Sequence, residues 1–114
     1  MTTTLYGIPN CDTVKRARTW LDGQGIAYTF HDYKKAGVDT TVLARAIERL
    51  GWERVLNRRG TTFRTLPEAD RADLDADRAT AIMQAHPSAI KRPLLVHDDT
   101  IEAGFSPERY ATIF

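Results

Sequence analysis

The fold of this chain is decided by the stretch Thr3-Thr4-Leu5-Tyr6-Gly7-Ile8-Pro9-Asn10-Cys11-Asp12. The residues from Thr3 to Ile8 are rich in β-formers and Pro9-Asn10 interrupts them, which predicts a first strand that enters a turn. An amphipathic helix is predicted to begin near Cys11 or Asp12, because apolar residues then recur at helical spacing. These residues are Val14, Ala17 and Leu21. Strand, tight turn, cysteine and helix therefore follow one another in that order.

A second strand is predicted over Ala27–Tyr33, where Tyr28 and Phe30 alternate with polar neighbours. Two strand-like segments joined by one helix form a βαβ unit, for which a right-handed parallel crossover is strongly preferred. The chain therefore begins as an α/β fold.

The middle of the chain is predicted to be helical. Asp39 is suited to cap a helix that Gly51 ends, and Asn57–Gly60 is typical of a turn. Further helices are expected over Trp52–Leu56, with Pro67 in a first turn, and from Asp75 or Asp77 to His86.

The last third returns to strands, with a hairpin predicted from Leu94–Val96 and Thr100–Ala103. A final helix is expected from Ser106 to Ile113, with Ser106 as its cap. The predicted order is β-α-β, a helical insertion over about residues 38–87, and then β-β-α. No linker or repeat divides the chain, so we expect a single α/β domain over residues 1–114.

Composition excludes several classes of protein. With 16 Lys and Arg against 15 Asp and Glu, the net charge is +1, so we expect neither a nucleic-acid nor a membrane partner. The sequence shows no apolar leader and no run long enough to span a bilayer, and we expect a cytoplasmic protein. Its single cysteine, Cys11, excludes an intramolecular disulfide and a cysteine-based zinc cage. The three histidines are scattered along the sequence, and we expect no metal site.

Three short motifs each have both a chemical and a purely structural interpretation. Unpaired N–H groups at a helix N-terminus favour the thiolate form of a cysteine, and Lys15 on the same face adds to this effect. The structural alternative is a buried core residue, which is common for a free cysteine. Arg92-Pro93 precedes a strand, where the proline is either cis and near a site or trans at an ordinary strand start. Arg58 and Arg59 form a basic turn that suits oxyanions or is simply solvated.

Four segments in this order resemble the ArsC family of arsenate-reductase-like proteins, most closely its YffB branch and more distantly the transcriptional regulator Spx. They are Tyr6–Ala17, Leu56–Phe63, Ile90–Leu95 and Gly104–Pro107. The resemblance covers essentially the whole chain. It implies a thioredoxin/glutaredoxin-like core with a helical insertion.

The resemblance also implies roles for individual residues. Cys11 would be the nucleophile, Pro93 a cis proline facing it, and Arg92 the ligand of an oxyanion or thiol cosubstrate. Arg59 would be a further substrate-binding residue, although Arg58 is a candidate for the same role. The substrate-binding set is completed by Lys15 and Asn10, beside the cysteine. Glutathione would be the reductant, with no bound cofactor and with glutaredoxin as a candidate partner.

This sequence departs from the family pattern at two positions. Phe105 stands about where a glutathione-coupled arsenate reductase is expected to have a third arginine, which argues against arsenate as the substrate. Val14 stands where Spx proteins often have a second cysteine, which excludes an intramolecular redox switch. We therefore expect a glutathione-dependent thiol/disulfide reductase, with an Spx-like regulator that binds RNA polymerase or a genuine arsenate reductase as alternatives.

Overall fold

A computed structural model describes residues 2–114, and its centre is a mixed four-stranded sheet. The strands are β1 (Thr3–Gly7), β2 (Thr29–Asp32), β3 (Leu94–His97) and β4 (Thr100–Ala103), in the spatial order β2-β1-β3-β4. β1 is parallel to β2 and antiparallel to β3, and β3 and β4 form the predicted hairpin. This arrangement confirms the α/β class.

Helices occupy much of the remaining chain. They are α1 (Asp12–Gly23), α2 (Tyr33–Ala36), α3 (Thr40–Leu50), α4 (Trp52–Val55), α5 (Thr61–Arg64), α6 (Glu68–Arg71), α7 (Ala76–Ala85) and α8 (Pro107–Ile113), with a 3₁₀ turn at Pro87–Ala89. Three helices begin where the sequence predicts a cap: the side chains of Asp39, Asp75 and Ser106 each accept a hydrogen bond from a first-turn N–H group. None of the helices in the described residues is long and apolar enough to cross a membrane.

The chain forms two compact units. The first contains the described residues up to Gly37 together with Arg92–Phe114, and the second is Val38–Lys91, which covers the segment expected to be a helical insertion.

The core of the first unit lies between the sheet and two helices. Leu5 of β1 and Leu95 of β3 are paired neighbours, and both are fully buried against α1 and α8. Burial of such side chains contributes roughly 1.5 to 3 kcal/mol each. The remaining buried members of this cluster are Ala17, Leu21 and Tyr110. This core holds α1, and therefore the residue at its start, against the sheet.

The second unit is built from short helices around α3. Val42, Leu43 and Ala46 form the buried face of α3, at the i, i+1 and i+4 spacing of one helical face. Residues 55–57 and 89–91 run side by side, because the Asn57 N–H group donates to the Ala89 carbonyl and the Lys91 N–H group donates to the Val55 carbonyl, both at 2.7 Å. These two hydrogen bonds link the end of α4 and the residues after it to the end of the 3₁₀ turn and the residues after it, within the second unit.

Some predicted boundaries were wrong. β2 begins at Thr29, two residues later than predicted. It ends at Asp32, because the Asp32 carboxylate accepts a hydrogen bond from the Lys34 N–H group and caps α2, which starts at Tyr33. Pro67 is the cap of α6 and does not lie in its first turn, and α5 was not predicted. Short helices of this kind lack the periodicity on which sequence-based prediction depends.

Candidate active site

Cys11 is the first residue of the candidate site. It is the N-cap of α1, with extended backbone angles (φ −126°, ψ 126°), and its carbonyl accepts the first helical hydrogen bond, from the Lys15 N–H group at 2.9 Å. Its side chain makes no capping hydrogen bond and is partly exposed. The thiol therefore lies where unpaired helix N–H groups and the helix dipole favour a negative charge, and where a second sulfur can approach it.

Two further candidate residues lie beside the thiol. Asn10 is exposed in the turn between β1 and α1, and Lys15 is exposed one helical turn after Cys11. Asp12, in the first turn, is exposed and contributes the opposite charge to that of Lys15. The solvent-facing side of the cysteine turn is thus polar and carries both charges.

The Arg92–Pro93 peptide bond is cis, as the resemblance implies. Pro93 is buried, Arg92 is partly exposed, and the Pro93 carbonyl accepts a hydrogen bond from the Gly104 N–H group at 2.8 Å. This bond continues the β3–β4 ladder by one residue, so the backbone around Pro93 is held by the sheet.

Sheet register places the cysteine turn and Arg92-Pro93 at the same end of the sheet. β1 ends at Gly7, four residues before Cys11, and β3 begins at Leu94, directly after Pro93. Because β1 and β3 are antiparallel with Tyr6 paired to Leu94, the end of one strand lies beside the start of the other. The nucleophile candidate follows β1 and the proline precedes β3, which are neighbouring strands of one unit.

Gly7 is a contributing residue that the sequence analysis did not identify as functional. A Cβ atom at this position would lie 2.9 Å from Cγ2 of Val14, closer than real Cβ contacts allow. The missing side chain lets α1 pack directly on the end of β1, which sets the position of Cys11. A glycine at the end of a strand before a turn was the only sequence signal for this role.

Phe105 follows Gly104 and packs inward. Its ring stands perpendicular to the ring of Tyr110 at a centroid distance of 4.7 Å, and the partly buried side chain packs against the core cluster of the first unit. The residue at this position therefore supplies an aromatic contact to the core and not the positive charge that a third arginine would supply.

Arg58 and Arg59 both lie exposed in the second unit. The Arg58 guanidinium lies over the Trp52 ring, 5.5 Å from its centroid. The Arg59 N–H group donates to the Asn57 side chain at 3.2 Å, and its guanidinium makes no hydrogen bond or ion pair with the described residues. Of the two, Arg59 has the guanidinium that is not already engaged in a contact.

The described residues contain no group of three or more side chains placed to hold a metal ion. Two of the histidines serve local structure. His31 Nε2 hydrogen bonds with the Gly37 carbonyl at 2.7 Å, and His97 Nδ1 with the Thr3 hydroxyl at 2.8 Å.

Comparisons with known proteins agree with this architecture. The ArsC family profile matches residues 6–113. A solved structure named YffB protein is 53% identical with a TM-score of 0.95, covering 97% of both chains. An arsenate reductase (ArsC) related protein from Brucella melitensis is 52% identical with a TM-score of 0.77, covering 98% of this chain and 93% of that one. An uncharacterized protein of Haemophilus influenzae is 39% identical over 97% of both chains.

A more distant similarity extends to regulators. A protein of Lactococcus lactis called global transcriptional regulator Spx 2 is 24% identical over 107 residues, which is 92% of this chain and 80% of that protein. The family profile covers nearly the entire chain, and relatives above 30% identity match it over almost their full length. The chain belongs to the ArsC family.

Proposed function

We propose that this protein is an oxidoreductase, a glutathione-dependent thiol/disulfide reductase in which Cys11 is the sole nucleophile. The observation that carries the proposal is the partly exposed thiol at the N-cap of α1, at the same end of the sheet as the cis Arg92-Pro93. Membership of the ArsC family, with an arsenate reductase related protein among its similar structures, supports an oxidoreductase.

The proposed chemistry is thiol–disulfide exchange. The Cys11 thiolate attacks one sulfur of a disulfide, a new S–S bond forms to Cys11, and the other sulfur leaves as a thiolate that takes up a proton from solvent. With oxidised glutathione as substrate, the product is a mixed disulfide between Cys11 and glutathione. Because the chain has one cysteine, a second thiol must come from outside to attack this disulfide and release Cys11. When the substrate is another disulfide, glutathione or a glutaredoxin attacks the substrate sulfur of the mixed disulfide, Cys11 leaves as the thiolate, and the attacking thiol forms a new disulfide with the substrate.

The neighbouring side chains have complementary proposed roles. Lys15 and the N–H groups at the start of α1 favour the attacking and leaving thiolate of Cys11. Arg92 binds a carboxylate of glutathione, for which a guanidinium offers two parallel donors. The backbone at Pro93 pairs with the extended part of the thiol substrate, and Asn10 donates from the cysteine turn. Arg59 is proposed as a further anion-binding residue on the basis of the family resemblance.

Two alternatives have specific support. The Brucella melitensis protein is called arsenate reductase related, which favours arsenate as the substrate, but Phe105 packs against the core where a third arginine would be expected. The Spx similarity favours a regulator that binds RNA polymerase. Such a binding protein would need neither a reactive thiol nor affinity for glutathione.

Mass spectrometry after exposure to oxidised glutathione tests the proposal. We expect the mass to increase by one glutathionyl group, the increase to disappear in Cys11→Ser, and reduced glutathione to reverse it. Alkylation of Cys11 by iodoacetamide, followed as a function of pH on the same sample, should be faster at neutral pH than alkylation of a simple thiol. Absence of the adduct together with ordinary alkylation would contradict the proposal and favour the Spx-like alternative.

A further inference from the structure

A shallow cleft lies within the first unit, between the second half of α1 and residues 26–30. It is open to solvent and has a volume of about 440 Å³. Its lining residues are Arg18, Asp22, Ile26, Ala27, Tyr28 and Phe30. None of these residues belongs to the cysteine turn or to Arg92-Pro93, so the cleft is distinct from the candidate active site.

The Arg18 guanidinium is held in one orientation at this cleft. It lies over the Phe30 ring, 4.3 Å from the centroid, and its Nε donates a hydrogen bond to the Tyr28 hydroxyl at 3.1 Å. A stacked guanidinium with its Nε engaged has lost much of its rotamer freedom before any ligand arrives. Its two terminal nitrogens, for which the described residues supply no hydrogen-bond partner, remain as a pair of parallel donors.

Asp22 adds an opposite charge to the same cleft. It lies one helical turn after Arg18, a spacing at which oppositely charged side chains commonly pair. In the described residues the two form no ion pair, because Arg18 is turned toward Phe30 and Tyr28 instead. The Asp22 carboxylate is exposed at the cleft, and the Tyr28 hydroxyl, which accepts from Arg18, keeps its own proton to donate.

We propose that this cleft binds the zwitterionic end of an α-amino acid. The carboxylate of the ligand accepts two hydrogen bonds from the terminal nitrogens of Arg18, and its ammonium group donates to Asp22. Ile26, Ala27 and the ring of Phe30 supply apolar surface for an aliphatic side chain. A ligand with only one of the two charges leaves Arg18 or Asp22 without its counterpart.

Titration of the ¹⁵N-labelled full chain with L-leucine, followed by NMR, tests this assignment. We expect weak binding with chemical-shift changes confined to the second half of α1 and to residues 26–30. Isopentylamine and 4-methylpentanoate carry the same aliphatic group with one charge each, and both should bind at least tenfold more weakly than L-leucine.

Two variants and two controls make the test specific. Arg18→Gln and Asp22→Asn should each weaken L-leucine binding at least tenfold, while Arg16→Gln, an exposed arginine on the same helix, and Asp77→Asn, an exposed aspartate on α7, should leave it unchanged. Asp22→Asn leaves the contacts of Arg18 in place, so its effect does not depend on the stability of the stacked arrangement. Absence of shifts at saturating L-leucine, shifts outside the cleft, or equal binding of either singly charged analogue would overturn the proposal.

Discussion

The ring of Phe105 meets the ring of Tyr110 edge-on, with the two planes at 90° and the centroids 4.7 Å apart. Tyr110 is fully buried, and its ring makes a second, nearly perpendicular contact with Trp20 at 5.7 Å. Phe105 comes directly after Gly104, whose N–H group bonds to the Pro93 carbonyl. The residue that follows Gly104 thus packs against the core of the first unit.

Phe105→Ala is expected to lower the free energy of unfolding by about 2 kcal/mol, because it removes a partly buried ring that packs against the core cluster and pairs with Tyr110. Urea denaturation followed by fluorescence measures the change. Phe114→Ala is the comparison variant, because Phe114 is 37% exposed and its ring lies farther from that of Tyr110, at 6.3 Å between centroids, so it should lose less. An equal loss in both variants would show that the perpendicular contact between Phe105 and Tyr110 adds nothing to the free energy of unfolding.

Arsenate reduction by the unmodified protein is expected to be weak or absent, although the glutathione adduct forms. Loss of one charge-assisted hydrogen bond to an oxyanion costs roughly 1.5 to 3 kcal/mol, which lowers affinity by one to two orders of magnitude. An assay with glutathione, glutaredoxin and arsenate measures the rate. Robust turnover that Cys11→Ser abolishes would contradict the substrate assignment and leave the nucleophile assignment intact.

Tyr110→Phe should leave the protein at least as stable at neutral pH. The Tyr110 hydroxyl is buried and has no hydrogen-bond partner among the described residues, so its removal is expected to raise the free energy of unfolding by up to about 1 kcal/mol. Thermal and urea denaturation at pH 7 measure this change. A clear loss of stability would show that the hydroxyl makes a favourable interaction in the folded protein.

The same variant should also be less sensitive to alkali. Burial, and next the charge of Glu102, raise the pKa of Tyr110 well above its ordinary value of 10.0. Above pH 10 the unfolded chain loses this proton, while the folded chain keeps it. The free energy of unfolding therefore falls as the pH rises above 10. The unmodified protein should therefore lose about 1.4 kcal/mol more than Tyr110→Phe between about pH 9 and pH 11. Equal slopes for the two proteins would be inconsistent with this account.

Gly7→Ala is expected to destabilise the protein by about 1 to 3 kcal/mol and to slow glutathione adduct formation at Cys11, because the new methyl group would press on Val14. Combined with Val14→Ala, Gly7→Ala should cost less: the double variant should lose less stability than the sum of the losses of the two single variants. Gly23→Ala is the control, since a Cβ atom there meets nothing within 4 Å. Strict additivity would place the effect of Gly7→Ala elsewhere than in the contact with Val14.

The sequence alone determined the features that depend on neighbours along the chain. The strand and turn before Cys11, the capped starts of α3 and α8, and the β3–β4 hairpin follow from local propensity, capping chemistry and periodicity. The order of these elements was enough to predict an α/β fold. The placement of a single thiol at the start of a helix was likewise predictable from the turn that precedes it.

Only the tertiary structure decided which distant side chains meet. Phe105 packs against the core because Tyr110 offers it a ring to contact, and no local pattern distinguishes this from an exposed position. The Arg18 contacts with Tyr28 and Phe30 and the β1–β3 register beside Cys11 likewise join segments that lie apart in sequence. Local propensities determine where elements begin and end, whereas burial of apolar surface between elements determines which of their faces come together.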